Sequence, residues 1–223
     1  MVKSENAVNQ RRPSARVQHK REQARKEILQ VAQTLLRKGG VEAVTLASVA
    51  GELNMTKQSL YHYFSSKEAL VKSLVTTLLD DEVRALTAAV EASGTLENTL
   101  GTLIRTFYDH YIKNLDAFRV IYCQSQLFAA KNERIDEQTL RDEINPRTRH
   151  LFDILENRMT SSDMSSEERL RIRQLAFVAW SSALGLLTML GVADANNDPL
   201  VHSDEELLAT LSNVFDSASV RSY

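Results

Sequence analysis

The sequence predicts an all-α protein. Only 7 of its 223 residues are glycine and 3 are proline, whereas the helix formers Ala, Leu, Glu and Arg are abundant. Apolar residues recur at intervals of three and four along most of the chain, which is the spacing of one helix face. No segment shows the strict alternation of apolar and polar residues that is typical of a half-buried strand. These observations together give the fold class.

Two amphipathic helices are predicted near the N-terminus. The first carries an apolar stripe over residues 28–36 and is ended by Gly39-Gly40. The second covers residues 46–53, with Thr45 placed as its N-cap. Because a tight connection follows directly, the segment has the layout of a helix-turn-helix.

A short third helix is expected after Thr56, burying Leu60, Tyr63 and Phe64. The turn before it passes through Asn54, where a positive φ is expected because Asn tolerates that conformation better than most residues. The predicted second and third helices therefore form a hairpin around a small core.

The rest of the chain carries further helix-start signals. Ser65 with Glu68 is a capping box that opens a long helix ending near Ser93. An aromatic-rich helix capped by Thr95 and ending near Lys113 is predicted next, followed by a helix over residues 117–131. The remaining three starts are Asn145-Pro146 and the capping boxes Ser165-Glu168 and Ser203-Glu206.

Charge divides the chain in the same way as the helix pattern. Residues 1–67 contain 12 Lys or Arg against 5 Asp or Glu, and the remainder contains 15 against 24. A basic N-terminal third on an acidic body is typical of a nucleic-acid-binding module, although a solvated basic tail is an alternative. The expected domains are a disordered basic arm at 1–18, a helix-turn-helix domain at 19–65 and a helical body at 66–219.

Several classes of protein do not fit this sequence. Cys123 is the only cysteine, so no intrachain disulfide is possible, and no apolar run follows the basic N-terminus. A cytoplasmic protein is therefore expected. His110 and His150 lack a ligand partner at helical spacing, and no nucleophile elbow, phosphate loop or HExxH motif occurs. We expect no metal, no cofactor and no enzyme.

The outer face of the predicted hairpin carries side chains suited to DNA. Gln can bond adenine, Lys can reach guanine or phosphate, and hydroxyl groups can hold phosphates. Lys67 opposes the dipole at the start of its own helix, which a bound phosphate would explain. The alternative is an ordinary helical hairpin whose polar face meets water. The candidate DNA-binding residues are Thr45, Thr56, Lys57, Gln58, Ser59, Tyr61, His62, Tyr63 and Lys67.

The run from Ile28 to Leu74 resembles the DNA-binding domain of the tetracycline-repressor (TetR) family. The matching positions of the family pattern are Thr45, Val49, Ala50, Leu60, Tyr61, Tyr63, Phe64, Lys67, Glu68 and Leu70. The resemblance implies a two-fold dimer that places one recognition helix per subunit in successive major grooves of a dyad-symmetric operator. It also implies phosphate contacts from Thr45, Lys67 and Tyr63 or Tyr61, and base contacts from the neighbouring polar side chains.

For the body, the resemblance implies a dimerisation and effector-binding domain whose small, largely apolar effector releases the operator. Control by a protein partner, or by no effector, is the alternative. The candidate effector-binding residues are Tyr108, Tyr111, Phe118, Tyr122, Gln126, Phe152, Phe177 and Trp180. The candidate dimer-interface residues are Ala179, Ser182, Ala183, Leu207, Leu211, Val214 and Phe215.

One uncharged stretch has two interpretations. Residues 175–193 contain no charged side chain and are about as long as a membrane span. Serines, glycines and a threonine interrupt the stretch, however, and a helix that is apolar all round also suits one packed on its own subunit and on a partner. We expect the second arrangement and no membrane.

Overall fold

The computed structural model describes residues 14–93, 98–123 and 137–220, divided into two compact units. One unit ends at Ser73 and the other begins at Leu74. Across the described ranges the chain is helical and forms no strand, so the predicted all-α fold class is confirmed. The division between the units falls inside a helix, eight residues after the expected domain boundary at residue 65.

The helices follow the predicted order. The N-terminal unit contains α1 (Ala15–Ala43), α2 (Leu46–Glu52) and α3 (Lys57–Tyr61), and α4 (Lys67–Ala92) contributes residues to both units. The C-terminal unit continues with α5 (Thr99–Ile112), α6 (Leu115–Phe118), α7 (Glu137–Thr139), α8 (Asn145–Met159), α9 (Ser166–Asn196) and α10 (Asp204–Val220). π-helical turns extend α6 over Arg119–Cys123 and join α7 to α8 over Leu140–Ile144.

Predictions that rest on local backbone chemistry are confirmed. Gly39 and Gly40 leave helical geometry, with φ of 65° at Gly40, so the regular part of α1 ends where predicted. Asn54 takes a φ of 53° in the turn between α2 and α3. The capping boxes at Ser165 and Ser203 form, because each serine exchanges hydrogen bonds with the glutamate three residues later.

Three local predictions are wrong. Helix α1 begins at Ala15, inside the arm expected to reach residue 18. Residues 15–18 are all exposed and show no apolar periodicity, so the sequence pattern did not mark this part of the helix. The cap of α4 is Ser66, whose hydroxyl accepts from the Ala69 amide, and not the adjacent Ser65. Asn145 is already helical, because a π-helical turn precedes it. Thr95 and residues 124–131 lie outside the described residues.

The core of the N-terminal unit is centred on α2, α3 and the residues that directly follow α3. Leu60 of α3 is completely buried, and Phe64, Val49 and Ala50 are nearly so. Tyr63, which was expected to be buried with them, is only partly covered. Further core residues come from α1 and the start of α4, namely Ile28, Ala32, Leu35, Leu36 and Leu70.

In the C-terminal unit, α5 is the central helix and packs against α9 and α10. Its start is capped from another helix. The Asp216 carboxylate of α10 accepts a hydrogen bond from the Gly101 amide at 2.7 Å, whereas Asn98, the residue before α5, makes no side-chain cap. A carboxylate is favoured here because it satisfies a free amide and faces the positive end of the helix dipole.

Gly101→Ala is expected to lower the free energy of unfolding by about 1–3 kcal/mol. A Cβ at this position would lie 2.2 Å from Asp216 Oδ2, so the carboxylate would have to withdraw and leave a buried amide without its acceptor. Chemical denaturation followed by circular dichroism measures the loss. Gly51→Ala is the control, because a Cβ there meets nothing within 4 Å and should stabilise slightly. Equal stability of the two variants would contradict the capping role of Asp216.

Candidate DNA interface and effector site

The side chains of Thr45 and Ser48 cap the N-terminus of α2. The Thr45 hydroxyl accepts from the Ser48 amide at 3.0 Å, and the Ser48 hydroxyl accepts from the Thr45 amide at the same distance. The two hydroxyls lie 2.8 Å apart. Thr45 therefore orients the start of α2, and the residue is only partly covered.

Helix α3 is short and is held at both ends. Its N-cap is Thr56, whose hydroxyl accepts from the Ser59 amide at 3.1 Å. In the preceding turn, the Met55 amide donates to the Ala50 carbonyl at 2.8 Å, which Asn54 permits by its positive φ. Leu60 then anchors the helix to the core. This leaves one side of α3 in the unit's core and the opposite side outside it.

The outer side of α3 and the residue directly after it carry four of the nine predicted DNA-binding residues. Lys57, Gln58 and His62 are exposed, and Tyr61 retains 42% of its accessible surface. The Lys57 ammonium lies 5.9 Å from the Tyr61 ring centroid, so these two side chains share one surface. Ser59 and Tyr63 are partly covered. A cation, an amide, an imidazole and a phenol therefore face outward within six residues.

Two arginines of α1, which sequence reasoning missed, hold the segment that leaves α3. Arg25 Nη1 donates to the Tyr63 carbonyl at 2.5 Å, and its guanidinium carbon lies 4.2 Å from the Phe64 ring centroid. Arg21, one turn earlier, donates to the His62 carbonyl at 3.2 Å. Burial, with a smaller effect of the nearby Arg21 charge, lowers the pKa of Arg25. The arginines thus cap the carbonyl end of α3.

Lys67, which is predicted to hold a phosphate, has a partner within the protein. Its ammonium lies 3.5 Å from a Glu42 carboxylate oxygen, and the Glu42 side chain is 88% exposed. An ion pair this exposed contributes little and is easily exchanged. Lys67 is also the first residue of α4, where a phosphate could approach free helix amides.

The C-terminal unit contains a connected set of rings, here called the aromatic cluster. Phe107 lies at its centre, with ring centroids 5.2 Å from Tyr111, 5.9 Å from Tyr122 and 6.4 Å from Trp180. Phe118 packs against Phe107 at the inner end of the cluster, and Phe152 and Phe177 pack against Trp180 at the other end. Six of the eight predicted effector residues therefore meet in one place, drawn from α5, α6, α8 and α9 and the π-helical turn after α6.

Two other predicted effector residues are not found in the aromatic cluster. The Tyr108 hydroxyl donates to Asp204 at 3.1 Å, and burial together with that carboxylate raises the pKa of Tyr108 to about 12. Tyr108 thus joins α5 to the start of α10. Gln126 lies outside the described residues. Burial also raises the pKa of the Cys123 thiol, which disfavours the reactive thiolate.

A buried carboxylate at one end of the aromatic cluster was not predicted. Glu82 of α4 is 2% exposed and accepts hydrogen bonds from the hydroxyls of Tyr111 and Tyr122, the latter at 2.6 and 2.8 Å. Burial raises the pKa of Glu82, and the bonds from these tyrosines and from Trp180 oppose the shift. In the sequence, Glu82 stands beside Asp80 and Asp81 and looks like part of a solvated acidic run.

The predicted interface residues divide into buried and exposed groups. Ala179, Ala183 and Phe215 are at most 7% exposed and pack within their own chain. Ser182, Leu207 and Leu211 are partly covered, and Val214 is 57% exposed. The exposed apolar side chains of α9 are Leu170, Phe177, Val178, Met189 and Val192.

Helix α9 is the one described helix that is long and apolar enough to cross a membrane by length and composition alone. Only 28% of its most apolar window is buried within the chain. Within the described ranges, no group of three or more His, Cys, Asp or Glu residues is placed to hold a metal ion.

Comparisons with known proteins agree with this geometry. Residues 28–74 match the family model for bacterial regulatory proteins of the tetR family. Over 159 residues the chain is 30% identical to the HTH-type transcriptional repressor KstR2 of Rhodococcus jostii. The matched stretch covers 70% of this chain and 76% of that protein.

The fold is similar to that of a TetR/AcrR-family regulator from Thermobifida fusca, with a TM-score of 0.64, 18% identity and coverage of 87% of this chain and 97% of that one. It is also similar to a TetR variant from Acinetobacter baumannii in complex with minocycline, with a TM-score of 0.60, 15% identity and coverage of 87% and 94%. The chain belongs to the TetR family and is a DNA-binding transcriptional repressor, not an enzyme.

Proposed function

We propose that this cytoplasmic repressor binds a dyad-symmetric operator as a dimer and releases it when a small, largely apolar effector binds the aromatic cluster. One observation carries the proposal: the same chain combines an outward polar face on α3 with a connected set of rings in its C-terminal unit. The minocycline complex of the Acinetobacter protein supports a small-molecule effector for this fold. Release requires only that the effector prefer one of two dimer geometries.

The proposed DNA contacts divide by chemistry. Gln58, Lys57 and His62 would meet base edges, because they are the exposed hydrogen-bonding groups on the outer face of α3. Thr45, Lys67 and the two tyrosines would hold phosphates and set the register. Thr56 caps α3, and its hydroxyl lies 2.8 Å from that of Ser59; both hydroxyls would reach the DNA backbone near the N-terminus of the helix.

Gln58→Ala and Lys67→Ala are expected to affect DNA binding differently. Loss of the Gln58 amide should cost about 1–3 kcal/mol on the preferred site and relax the sequence preference at one base pair per half-site. Loss of the Lys67 ammonium should weaken binding to all sequences alike and reduce the salt dependence. Fluorescence anisotropy with a selected site and a scrambled site, over a series of salt concentrations, separates the two. Loss of sequence preference alone in both variants would refute these roles.

We propose α9 and α10 as the dimer surface. Val178, Gly185, Met189 and Val192 are spaced by seven, four and three residues, so they share one face of α9, and this face is exposed. A Cβ at Gly185 would meet nothing within 4 Å, which leaves room for a second helix. Val214 is 57% exposed on α10 and shares one face of that helix with Thr210 and Ser217. A second copy would cover this surface, and a lipid bilayer is the competing cover.

The oligomeric state tests the dimer proposal directly. The chain has a mass of 25.1 kDa, so sedimentation in detergent-free buffer should give a particle of about 50 kDa. Recovery of the protein only from membranes, in detergent, would support the bilayer instead.

A further inference from the structure

We propose that the aromatic cluster recognises effectors that carry a cationic head group, with Glu82 as the counter-ion. This inference rests on the proposed effector response and names the class of ligand at the same site. Three observations carry it. Glu82 is buried, its hydrogen-bond donors are uncharged, and aromatic rings extend from it toward the surface of the unit.

Glu82 is a buried acid without a cation among the residues that the structure describes. Its hydrogen-bond donors there are the hydroxyls of Tyr111 and Tyr122 and the indole of Trp180, all of them uncharged. The nearby arginines pair elsewhere: Arg84 with Asp81, Arg119 with Asp116 and Arg147 with Asp80. Burial without an opposite charge disfavours the carboxylate form, a cation beside Glu82 would restore it, and acids in such surroundings concentrate at binding sites.

The rings around Glu82 suit a cation. The ring centroid of Tyr122 lies 5.9 Å from that of Trp180 and 6.2 Å from that of Tyr111. Both pairs are edge-to-face, so the edge of one ring meets the face of the other. Tyr and Trp faces attract ammonium groups through their quadrupoles, and desolvation strengthens the attraction. An ammonium seated among these rings would gain both the ring faces and the carboxylate.

Exposure increases from Glu82 toward the surface of the unit. Tyr122 and Trp180 are partly exposed. Phe177, whose ring centroid lies 5.7 Å from that of Trp180, is 53% exposed. A ligand entering by displacement of Trp180 and Tyr122 would bring its head group to Glu82 and leave its apolar body on Phe152 and Phe177. A carboxylate or phosphate head group would be repelled at the inner end.

Trp180 is the only tryptophan, so its fluorescence reports on this site directly. We would titrate two cations of different size, benzyltrimethylammonium and tetraphenylphosphonium, against their isosteres, neutral neopentylbenzene and anionic tetraphenylborate. At least one cation is expected to change Trp180 fluorescence saturably and to bind about ten-fold more tightly than its isostere. If neither cation is preferred over its isostere, the proposal is overturned.

Two variants locate the effect. Glu82→Gln keeps the shape of the side chain and should reduce cation affinity to that of the neutral isostere, whose binding should not change. Asp81→Asn removes the neighbouring carboxylate, which is 40% exposed and paired with Arg84, and should leave cation binding intact. Equal loss in both variants would assign the preference to general charge and overturn the proposal. The isostere comparison on the unmodified protein stands even if Glu82→Gln fails to fold.

DNA release separates this inference from the function on which it rests. Each probe would be added to the protein bound to a DNA site selected from random sequence. If cations bind at Trp180 in a Glu82-dependent way without releasing DNA, the ligand class stands and the effector response fails. If only neutral or anionic probes bind and release DNA, the effector response stands and the cationic class is wrong.

Discussion

Replacing Val178 with aspartate is expected to abolish the dimer and most of the operator affinity. Val178 is 52% exposed on a helix of which little is covered by its own chain. Across a two-fold axis each copy would bring one carboxylate into an apolar surface, and neither charge would find a partner. The dimer should weaken at least about 100-fold, since a buried unpaired charge costs several kcal/mol.

Sedimentation and anisotropy measure the two parts of this prediction. The variant should sediment as a monomer and bind a full dyad site no better than a single half-site. Asn157→Asp adds the same charge at an exposed position of α8, and it should change neither the mass nor the affinity. A Val178→Asp protein that remains dimeric would remove this face of α9 from the interface.

Arg25→Met is expected to weaken binding to every DNA sequence about ten-fold or more and to lower the free energy of unfolding by about 1.5–3 kcal/mol. The guanidinium holds the Tyr63 carbonyl, the Phe64 ring and the Ser73 hydroxyl, so it joins α1 to the end of α3 and to α4. Without it the outer face of α3 loses its fixed direction. Arg25→Lys should rescue little, because an ammonium lacks the forked, planar geometry.

Loss of a positive charge must be separated from loss of position. Arg37→Met removes an arginine from the same helix whose described hydrogen bond is to Thr34, within α1. It should lower the salt dependence as much as Arg25→Met does while leaving stability close to that of the parent. If the two variants behave alike, Arg25 acts only through its charge.

The features predicted from the sequence are those decided by neighbouring residues. The break at Gly39-Gly40, the positive φ of Asn54 and the boxes at Ser165 and Ser203 depend on contacts within four residues. Where two neighbours offer the same chemistry, the choice is not encoded locally. Ser65 and Ser66 both offer a capping hydroxyl at the start of α4, and it is the second that accepts from the Ala69 amide.

The features missed by sequence reasoning depend on distant pairs. Arg25 meets Tyr63 across 38 positions, and Glu82 meets Tyr122 across 40. Neither arginine nor glutamate is unusual on a predicted polar helix face, so no local signal marks them. The aromatic cluster was predictable as a set, because aromatic side chains in a helical body are expected to meet inside it, but Tyr108 shows that membership is decided by packing.

Selection of binding sites from random DNA by the purified protein tests the central claim most directly. Repression by a dimer through α3 predicts enrichment of an inverted repeat whose half-site centres lie about 10–10.5 base pairs, or a multiple of that, apart. It also predicts that selection with Gln58→Ala changes the same position in both halves. Enrichment of sites without dyad symmetry, or no enrichment at all, would contradict the account.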